Sequence, residues 1–518
     1  MGGRKGDGTA TMHTRRRFLT GLGAAPAVLK LTGCGGKPKR PNILFAISDD
    51  QSFPHAGAMG DPVVKTPAFD RVAEKGVLFT NAICGSPGCA PSRAAILTGR
   101  GHWQLEEAGT HASYFPTKFM GQVYTDILEK AGYHVGYTGK GAGPANFKGW
   151  PHNPAGKPYQ ARKFAEVPEG IRNLDYAGNF ADFLADRPSG QPFCFWYGAS
   201  EPHRRYKQGI GLESGKKLED VVVPPFLPDC DVVRSDILDY YVEIEWFDTQ
   251  LGKMLDTLEE AGELENTLVV VTSDNGMPFP RAKAFMYEYG IHLPLAVSWP
   301  AAFPGGRRVE DLISFMDFAP TFLEAAGLPV PEVMTGRSFL DVLRSGKAGI
   351  VDQTRSSALS GRERHSHSRF DNLGYPSRAL RTHEYLYIRN FAPERYPAGD
   401  PPGYYDIDAS PSKTYLLEHK DEPGVRELFE LTCGKNPAEQ LYDIRNDPGC
   451  LKNLADSPEH AQVKATLKKE LEDTLLAQGD PRLTGNGDIW ESYPRFNVMR
   501  PELGGFAEKG KYNPAYQR

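Results

Sequence analysis

The chain has 518 residues, of which 24% are charged and 40% hydrophobic. This is the composition of an ordinary globular protein with room for one large domain and a smaller one. A net charge of −5 gives no electrostatic basis for binding nucleic acid. No run of about 20 apolar residues follows the N-terminal region, so no transmembrane helix is predicted.

Residues 1–34 are predicted to be an export signal rather than part of the fold. Arg15, Arg16 and Arg17 precede a short apolar run that ends at residue 29, as in twin-arginine signals. The sequence LTGC that follows resembles a lipobox, in which Cys34 becomes a lipidated first residue. We therefore predict an exported bacterial protein, periplasmic or at the cell surface, whose membrane contact is a lipid anchor at Cys34. A disordered basic tail is the alternative.

Short apolar runs alternate with helical patterns, which favours an α/β sheet flanked by helices. The predicted strands are, in chain order, residues 42–48, 135–138, 192–199, 268–273 and 295–299. The predicted helices are residues 67–75, 125–130, about 235–260, 317–326 and 462–477. These elements define a large domain over residues 41–376, ending in a Ser-, Arg- and His-rich linker over 355–376. Shorter alternating runs beyond it predict a smaller α+β domain over residues 377–518.

Polar clusters follow four of the predicted strands. Taken in chain order, they are Asp49 and Asp50, Lys140, Glu201 and His203, and Asp274 and Asn275. Ligands of parallel sheets bind beyond the carboxyl ends of the strands, so these clusters are expected to share one crevice. Carboxylates forced together need a cation between them, and an all-oxygen ligand set favours calcium or magnesium over zinc. Each acidic pair alone is also compatible with a turn or a helix cap.

A fifth cluster is CAPSR, from Cys89 to Arg93, followed by AAILTGR. Pro91 suits a first helical turn and Gly99 a helix end, which places Cys89 at a helix N-terminus where anions are favoured. Arg93, one turn further along, can reach the same anion. As a bare thiol, Cys89 is expected to have a low pKa there, but no histidine and asparagine partners mark a thiol hydrolase.

The seven cysteines are scattered over the chain, without the spacing of a zinc site or of a disulfide framework. Cys433 and Cys450 flank a turn-rich segment, and whether they pair in an oxidising compartment stays open.

The motif C-x-P-S-R followed by T-G-R resembles the signature of formylglycine-dependent sulfatases, which have an alkaline-phosphatase-like fold. The resemblance extends from residue 41 to about residue 453. It includes the first strand with its two aspartates, a helix over 66–81, Gly139-Lys140, the DNG sequence at 274–276, and Lys283 before Y-E-x-G-I. It implies a mixed sheet flanked by helices, with a smaller C-terminal α+β domain.

The resemblance also implies roles for the clustered residues. Cys89 would be oxidised by a formylglycine-generating enzyme, and the hydrated aldehyde would attack the sulfur of a sulfated saccharide. The implied calcium ligands are Asp49, Asp50, residue 89, Asp274 and Asn275. Arg93, Lys140 and Lys283 would hold the sulfate, and His203 would protonate the leaving group. Glu201, His111 and His365 are expected to contact the substrate.

Within the family, the sequences TSDNGMPFP and EPHR are most similar to the heparan N-sulfatase (sulfamidase) branch, which implies N-sulfoglucosamine as substrate. Two departures affect the substrate: Ala142 stands where most sulfatases have histidine, and Lys283 where sulfamidase has arginine. An O-sulfatase acting on another sulfated polysaccharide, such as an algal one, is the first alternative. The others are a phosphatase of the same superfamily, which would use Ser or Thr with two zinc ions, and an inactive glycan-binding lipoprotein.

Overall fold

The structure is a computed structural model that describes Gly2, residues 40–497 and residues 499–504. The predicted export signal, including the twin arginines and Cys34, lies outside these residues except for Gly2. Among the described residues, none of the helices combines the length and the apolar character needed to cross a membrane.

A mixed eight-stranded sheet forms the centre of the fold. Its strands are β1 Asn42–Ser48, β2 Val77–Ile83, β3 His134–Gly139, β4 Lys157–Pro158, β5 Phe193–Gly198, β6 Thr267–Ser273, β7 His292–Ser298 and β8 Arg307–Ser314. They are ordered β4-β3-β5-β1-β6-β7-β2-β8. The first five in this order are parallel, β7 is antiparallel to both of its neighbours, and β2 and β8 are parallel to each other.

Helices cover both faces of this sheet. In β1, Ile43, Phe45 and Ile47 contribute to one hydrophobic cluster, and Leu44 and Ala46 to the other. Burial on both faces explains why the strand is a continuous apolar run rather than an alternating pattern. The helices on the first face are α2 Cys89–Thr98, α3 Tyr124–Lys130 and α8 Phe318–Ala325; those on the second are α1 Pro67–Lys75, α4 Tyr176–Asp186 and α6 Asp231–Glu260.

An antiparallel sheet of four strands lies C-terminal to the mixed sheet in the chain. Its strands are β9 Ser357–Arg362, β10 Ser377–Thr382, β11 Tyr385–Asn390 and β12 Glu439–Asp443, in the order β12-β11-β10-β9. Helix α12, Ala461–Ala477, packs Leu467 and Leu471 onto it in a separate hydrophobic cluster. The remaining helices are α5 Ile210–Glu213, α7 Glu288–Ile291, α9 Leu340–Arg344, α10 Pro411–Glu418, α11 Val425–Cys433, α13 Pro481–Thr484 and α14 Ile489–Ser492.

The antiparallel sheet contains a buried network of charges centred on Arg378 in β10. Its guanidinium group donates to both carboxylate oxygens of Asp480, at 2.6 and 3.0 Å, and to Glu363 at 2.9 Å. Two backbone carbonyls, of Arg362 and Ser377, accept its remaining hydrogens. All five N–H groups of the Arg378 side chain are therefore used within the protein.

The predicted mixed α/β sheet is confirmed, and β1 and α1 have the predicted bounds. Two local predictions are wrong. The longer helix over residues 66–81 that the family resemblance implies is not formed, because α1 ends at Lys75 and β2 begins at Val77. The linker expected over 355–376 contains β9, which pairs with β10 along its whole length. A separate domain beginning at residue 377 stays a prediction.

Candidate active site

The carboxyl ends of the central strands bring the predicted metal ligands together. Asp49 and Asp50 follow β1, Asp274 follows β6, and Cys89 is the first residue of α2. One ligand atom from each of these four residues lies within 4.8 Å of all the others, and all four residues are buried. The thiol of Cys89 is 3.4 Å from Oδ1 of Asp49. This convergence is the one that the strand ends predict.

Asp50 is held in an unusual backbone conformation. Its φ of 75° lies in the left-handed region, which costs a residue with a side chain about 1 kcal/mol. Its amide donates to Oδ1 of Asp274 at 3.1 Å, which joins the ends of β1 and β6. The turn allows two consecutive carboxylates, Asp49 and Asp50, to reach the same cluster.

Three cationic side chains surround the three carboxylates, one for each. Lys140 bonds to Asp49, Lys283 donates to Asp50 at 2.7 Å, and Arg93 donates to Asp274 at 2.7 Å. Burial favours the neutral form of Asp49, but Lys140 and the other cations around it together outweigh burial and hold the pKa of Asp49 well below its usual value. Burial and the neighbouring Asp49 raise the pKa of Asp274 to about 6.

Two polar atoms of the cluster are buried without a hydrogen-bond partner. They are the side-chain oxygen of Asn275 and the NH2 group of Arg93. The amide nitrogen of Asn275 is occupied, since it donates to Asp50 at 2.8 Å. Unpaired buried groups are costly and need an explanation. A cation among the carboxylates would use the free oxygen, and an anion beside it would use the free N–H donors. The residues present therefore fit a hard cation next to an anion.

Cys89 is fully buried at the start of α2. Burial, and then the negative charge of Asp49, raise the pKa of its thiol well above the ordinary value. The low pKa expected from the helix N-terminus is therefore wrong: desolvation and the carboxylates outweigh the helix dipole. Gly88 precedes it, and a Cβ there would stand 2.9 Å from Nδ1 of His365, so the absence of a side chain lets His365 approach the cluster.

A cavity of about 470 Å³ opens from the cluster, lined in part by Asp49, Lys140, Glu201 and His203. His203 is 39% exposed, with Nε2 3.9 Å from Oδ2 of Asp50. Its Nδ1 lies 2.7 Å from the carbonyl oxygen of Arg204. Because a carbonyl only accepts, Nδ1 carries a hydrogen, and a second proton on the ring belongs to Nε2, beside the carboxylates.

Glu201 lines the cavity but is engaged by other residues. Its carboxylate accepts from the backbone N–H of Arg172 at 2.9 Å and from the hydroxyl of Tyr176 at 2.8 Å. Burial raises its pKa. A second buried acid, Glu243 on α6, lines the same cavity, and neither of its oxygens has a hydrogen-bond partner. Burial, followed by the charge of Glu201, raises the pKa of Glu243 to about 9.

His111 and His365 form a buried pair, with ring centroids 4.7 Å apart. Burial lowers the pKa of His365 to about 3 and places that of His111 well below its usual value. Both rings are therefore neutral near pH 7. His111 also lines the cavity, and its predicted contact with the substrate stays a prediction.

Sequence reasoning missed Asp408. It lies in the loop between β11 and α10, where its carboxylate accepts from Lys283 at 3.1 Å. Lys283 thereby bridges Asp50 and Asp408. Burial opposes the ionisation of Asp408, but the cation of Lys283 lowers its pKa well below the usual value. Its partner is 125 residues away in the chain, and no local motif marks it.

Ala142 is buried, and its backbone amide donates to the side chain of Asn153 at 3.1 Å. Cys433 and Cys450 are both buried free thiols, so the pairing left open by the sequence is not present.

Comparison with known proteins agrees with this site. The family model described as "Sulfatase" matches residues 41–328. An ulvan-active sulfatase of Formosa agariphila is 30% identical, over 86% of this chain and 76% of the relative. The human N-sulphoglucosamine sulphohydrolase is 26% identical, over 93% of this chain and 99% of the relative. A solved structure in complex with its substrate D-glucosamine-2-N,6-O-disulfate superposes with a TM-score of 0.63 at 22% identity, covering 86% of this chain and 99% of that one.

The mixed sheet with flanking helices and a separate antiparallel sheet has the alkaline-phosphatase-like fold of the sulfatases. The chain belongs to the sulfatase family. It is a sulfuric ester hydrolase that acts on sulfated glycans.

Proposed function

We propose that the chain hydrolyses its substrate with a formylglycine derived from Cys89 and a calcium ion bound beside it. The ligands would be Asp49, Asp50, Asp274, Asn275 and residue 89. The observation that carries the proposal is the buried cluster of three carboxylates, one cysteine and one unpaired amide oxygen. The formylglycine would supply a hydrated aldehyde, and the bound calcium ion would make its hydroxyl group more acidic.

The surrounding cations would bind the sulfate group. Arg93, Lys140 and Lys283 each face a carboxylate of the cluster. With the carboxylates holding a calcium ion, the same cations would be available to the sulfate oxygens. The unpaired NH2 of Arg93 supports this role, because it is already desolvated and unused.

His203 would donate a proton to the leaving group. Its hydrogen bond from Nδ1 to the carbonyl of Arg204 fixes the ring, so the imidazolium presents its second N–H at Nε2. That atom lies in the cavity wall, near Asp50. Glu201, His111 and His365 would contact the sugar. His203 is oriented by the Arg204 carbonyl rather than by Glu201, because the Glu201 carboxylate already accepts hydrogen bonds from Tyr176 and Arg172.

We propose an O-sulfated acidic polysaccharide as the substrate. The support is the identity of this chain to two ulvan-active sulfatases, which is 30% and 31%. The alignments cover 76% and 81% of those two relatives. N-sulfoglucosamine is the second candidate, because the human sulphohydrolase aligns over 99% of its length. Both leaving groups, a sugar hydroxyl and a sugar amine, need a proton from His203, whereas the activated phenol of an aryl sulfate needs it much less.

The decisive experiment combines mass spectrometry and substrate profiling. Protein co-expressed with a formylglycine-generating enzyme should show loss of the thiol mass in the peptide of residues 82–93, with about one calcium per chain. Sulfate release is then compared for ulvan, N-sulfoglucosamine and an aryl sulfate, with a phosphate monoester as the negative control. Full activity with an unmodified Cys89, or stoichiometric zinc, would refute the proposed chemistry.

The His203→Ala variant tests the proton donor, and the substrate profile of the wild type separates the two candidate substrates. Loss of activity on N-sulfoglucosamine should reach about a hundredfold, while an aryl sulfate loses much less. Release of sulfate from ulvan but none from N-sulfoglucosamine excludes the sulfamidase-type substrate and leaves the O-sulfatase proposal standing. The reverse pattern overturns the O-sulfatase proposal.

We also propose export by the twin-arginine route, with Cys34 as lipid anchor. Arg16→Lys combined with Arg17→Lys should hold the protein in the cytoplasm, and Cys34→Ala should release it from the membrane fraction. Unchanged fractionation of both variants would reject this proposal, which rests on sequence alone.

A further inference from the structure

A second and larger cavity, of about 690 Å³, adjoins the active-site cavity. Arg204 and Arg205 line both. The other walls of the larger cavity come from α6 and from α10, including Thr414 and Tyr415. Apart from this shared segment, the larger cavity contains none of the residues of the candidate active site. The function of the larger cavity is therefore not explained by the catalytic cluster.

The shared wall is rigid at Arg204. Its guanidinium group forms two hydrogen bonds with Asp236, at 2.7 and 2.8 Å, and donates to the carbonyl of Pro278 at 2.9 Å. The group also lies 4.4 Å from the ring centroid of Tyr206 and 4.6 Å from that of Phe279. A cation held on all sides in this way fixes the boundary between the cavities and is not itself free to bind a ligand.

Arg205, the next residue, is different. It is exposed, and within the described part of the chain its side chain has no ion pair or hydrogen bond. A free guanidinium at the junction of two cavities is suited to a carboxylate or a sulfate, which it can bind through two parallel hydrogen bonds.

Three carboxylates line the larger cavity, those of Asp236, Asp239 and Glu418. Asp236 is paired with Arg204 and accepts from the hydroxyl of Ser412 at 2.6 Å. Asp239 accepts from the backbone amides of Gly209 and Gly211, both at 2.9 Å. Glu418 on α10 is exposed, so its charge is screened by solvent. An anionic ligand beside Arg205 therefore meets little repulsion from Asp236, whose charge Arg204 compensates.

An aromatic surface lies further along the cavity. The rings of Tyr415 and His419, one turn apart on and after α10, stack with centroids 4.1 Å apart and an interplanar angle of 22°. Both residues line the cavity. Flat aromatic rings next to polar side chains suit the apolar C–H face of a sugar ring.

We propose that this cavity binds the sugar next to the one that loses its sulfate, so that the enzyme recognises an oligosaccharide rather than a single residue. Arg205 pairs with an anionic group, a sulfate or a carboxylate, on that neighbouring sugar, and Tyr415 stacks on a ring beyond it. The inference rests on the proposed function and extends it to the acidic oligosaccharide as the substrate unit.

The test compares an oligosaccharide with a small substrate in the same variants. The probes are size-fractionated ulvan tetrasaccharides and an aryl sulfate, and the measured quantity is the ratio of their kcat/KM values. Arg205→Ala should lower this ratio about tenfold, mainly through KM, because one charge-assisted pair is lost. Thr414→Trp, which fills the cavity, should lower it similarly. Arg344→Ala, an exposed arginine that lines neither cavity, is the matched control.

Two further experiments identify the chemical group that Arg205 binds. If it binds a carboxylate, reduction of the uronate carboxyls removes the difference between wild type and Arg205→Ala; if it binds a sulfate, prior removal of the neighbouring sulfate does so. An unchanged ratio in both Arg205→Ala and Thr414→Trp overturns the inference. If the wild type releases no sulfate from any probe, the proposed function fails instead. Calorimetry then measures the binding of the tetrasaccharides to wild type and to Arg205→Ala. Equal affinities would refute the proposal that this cavity binds the neighbouring sugar.

Discussion

Two arginines, Arg93 and Arg378, are both completely buried among carboxylates, yet they differ in how they are satisfied. Arg378 uses all five of its N–H groups, on Asp480, Glu363 and two backbone carbonyls. Arg93 uses Nε on Asp274 and one NH1 hydrogen on the carbonyl of Gly141, while its NH2 group has no partner. The first network is complete within the chain; the second is complete only with a ligand.

The difference teaches how to separate structural from functional buried charge. Burial and proximity to acids are the same in both networks, so neither distinguishes them. The unpaired atoms do in this pair of networks, because a desolvated group without a partner is costly and a bound ligand would satisfy it. Asn275 supports this, since its free oxygen lies in the same cluster as Arg93.

The largest effect should follow from removing a carboxylate of the catalytic cluster. Asp274→Asn keeps the shape but loses the charge that serves both Arg93 and the proposed cation, so activity should fall about a thousandfold or more. Calcium content, measured by elemental analysis, should fall with it. Asp480→Asn in the Arg378 network is the control; loss of calcium in that variant would break the distinction between the two networks.

The same substitution in the two arginines tests the comparison most directly. Lysine keeps the charge but not the planar fork of N–H donors. Arg93→Lys should lower kcat/KM about a hundredfold. Arg378→Lys should leave kcat/KM near the wild-type value and instead destabilise the fold by about 1–3 kcal/mol, because buried acceptors lose their donors. Thermal unfolding and steady-state kinetics on both proteins provide the readouts; equal kinetic losses would contradict the assignment.

Asp408 should have a smaller effect, because it acts through Lys283. Asp408→Asn weakens the bridge that holds Lys283 between two carboxylates, and kcat/KM should fall about tenfold. In a Lys283→Met background the same change should add little, since its partner is gone. Full additivity of the two losses in this double-mutant cycle would exclude a role through Lys283.

Glu243 provides the smallest and most specific test, which concerns stability. The pKa of its carboxyl is raised from 4.5 to about 9 in the folded chain. Between these values the unfolded state releases a proton that the folded state retains, so wild-type stability falls as pH rises. Glu243→Gln lacks this term. Its Tm should match the wild type near about pH 5 and exceed it by a few degrees near about pH 8.5; a difference independent of pH would refute the buried neutral acid.

The strand ends and the motif at Cys89 could be predicted because local sequence determines them. Continuous apolar runs indicate β1 and β6, and polar residues directly after them must lie at the edge of the sheet. Asp408 and Glu243 could not be predicted, since their importance comes from partners far away in the chain. The thiol pKa was predicted in the wrong direction for a related reason: the helix start is visible in the sequence, but the complete burial of Cys89 and the nearby Asp49 are tertiary facts. Similarly, β8 has the sequence RRVEDLIS, in which charged and apolar residues do not alternate regularly, and its pairing with β2 makes it a strand.

The complete burial of Cys89 also sets an order of events in the cell. A side chain with no exposed surface is out of reach of any other enzyme once α2 has packed against the ends of β1 and β6. Under the proposed function, the enzyme that oxidises Cys89 would therefore have to act on the newly made chain, in competition with its folding. The yield of active enzyme then depends on two rates, and an expression host that folds the chain quickly but supplies little of the modifying enzyme would accumulate well-folded, permanently inactive protein.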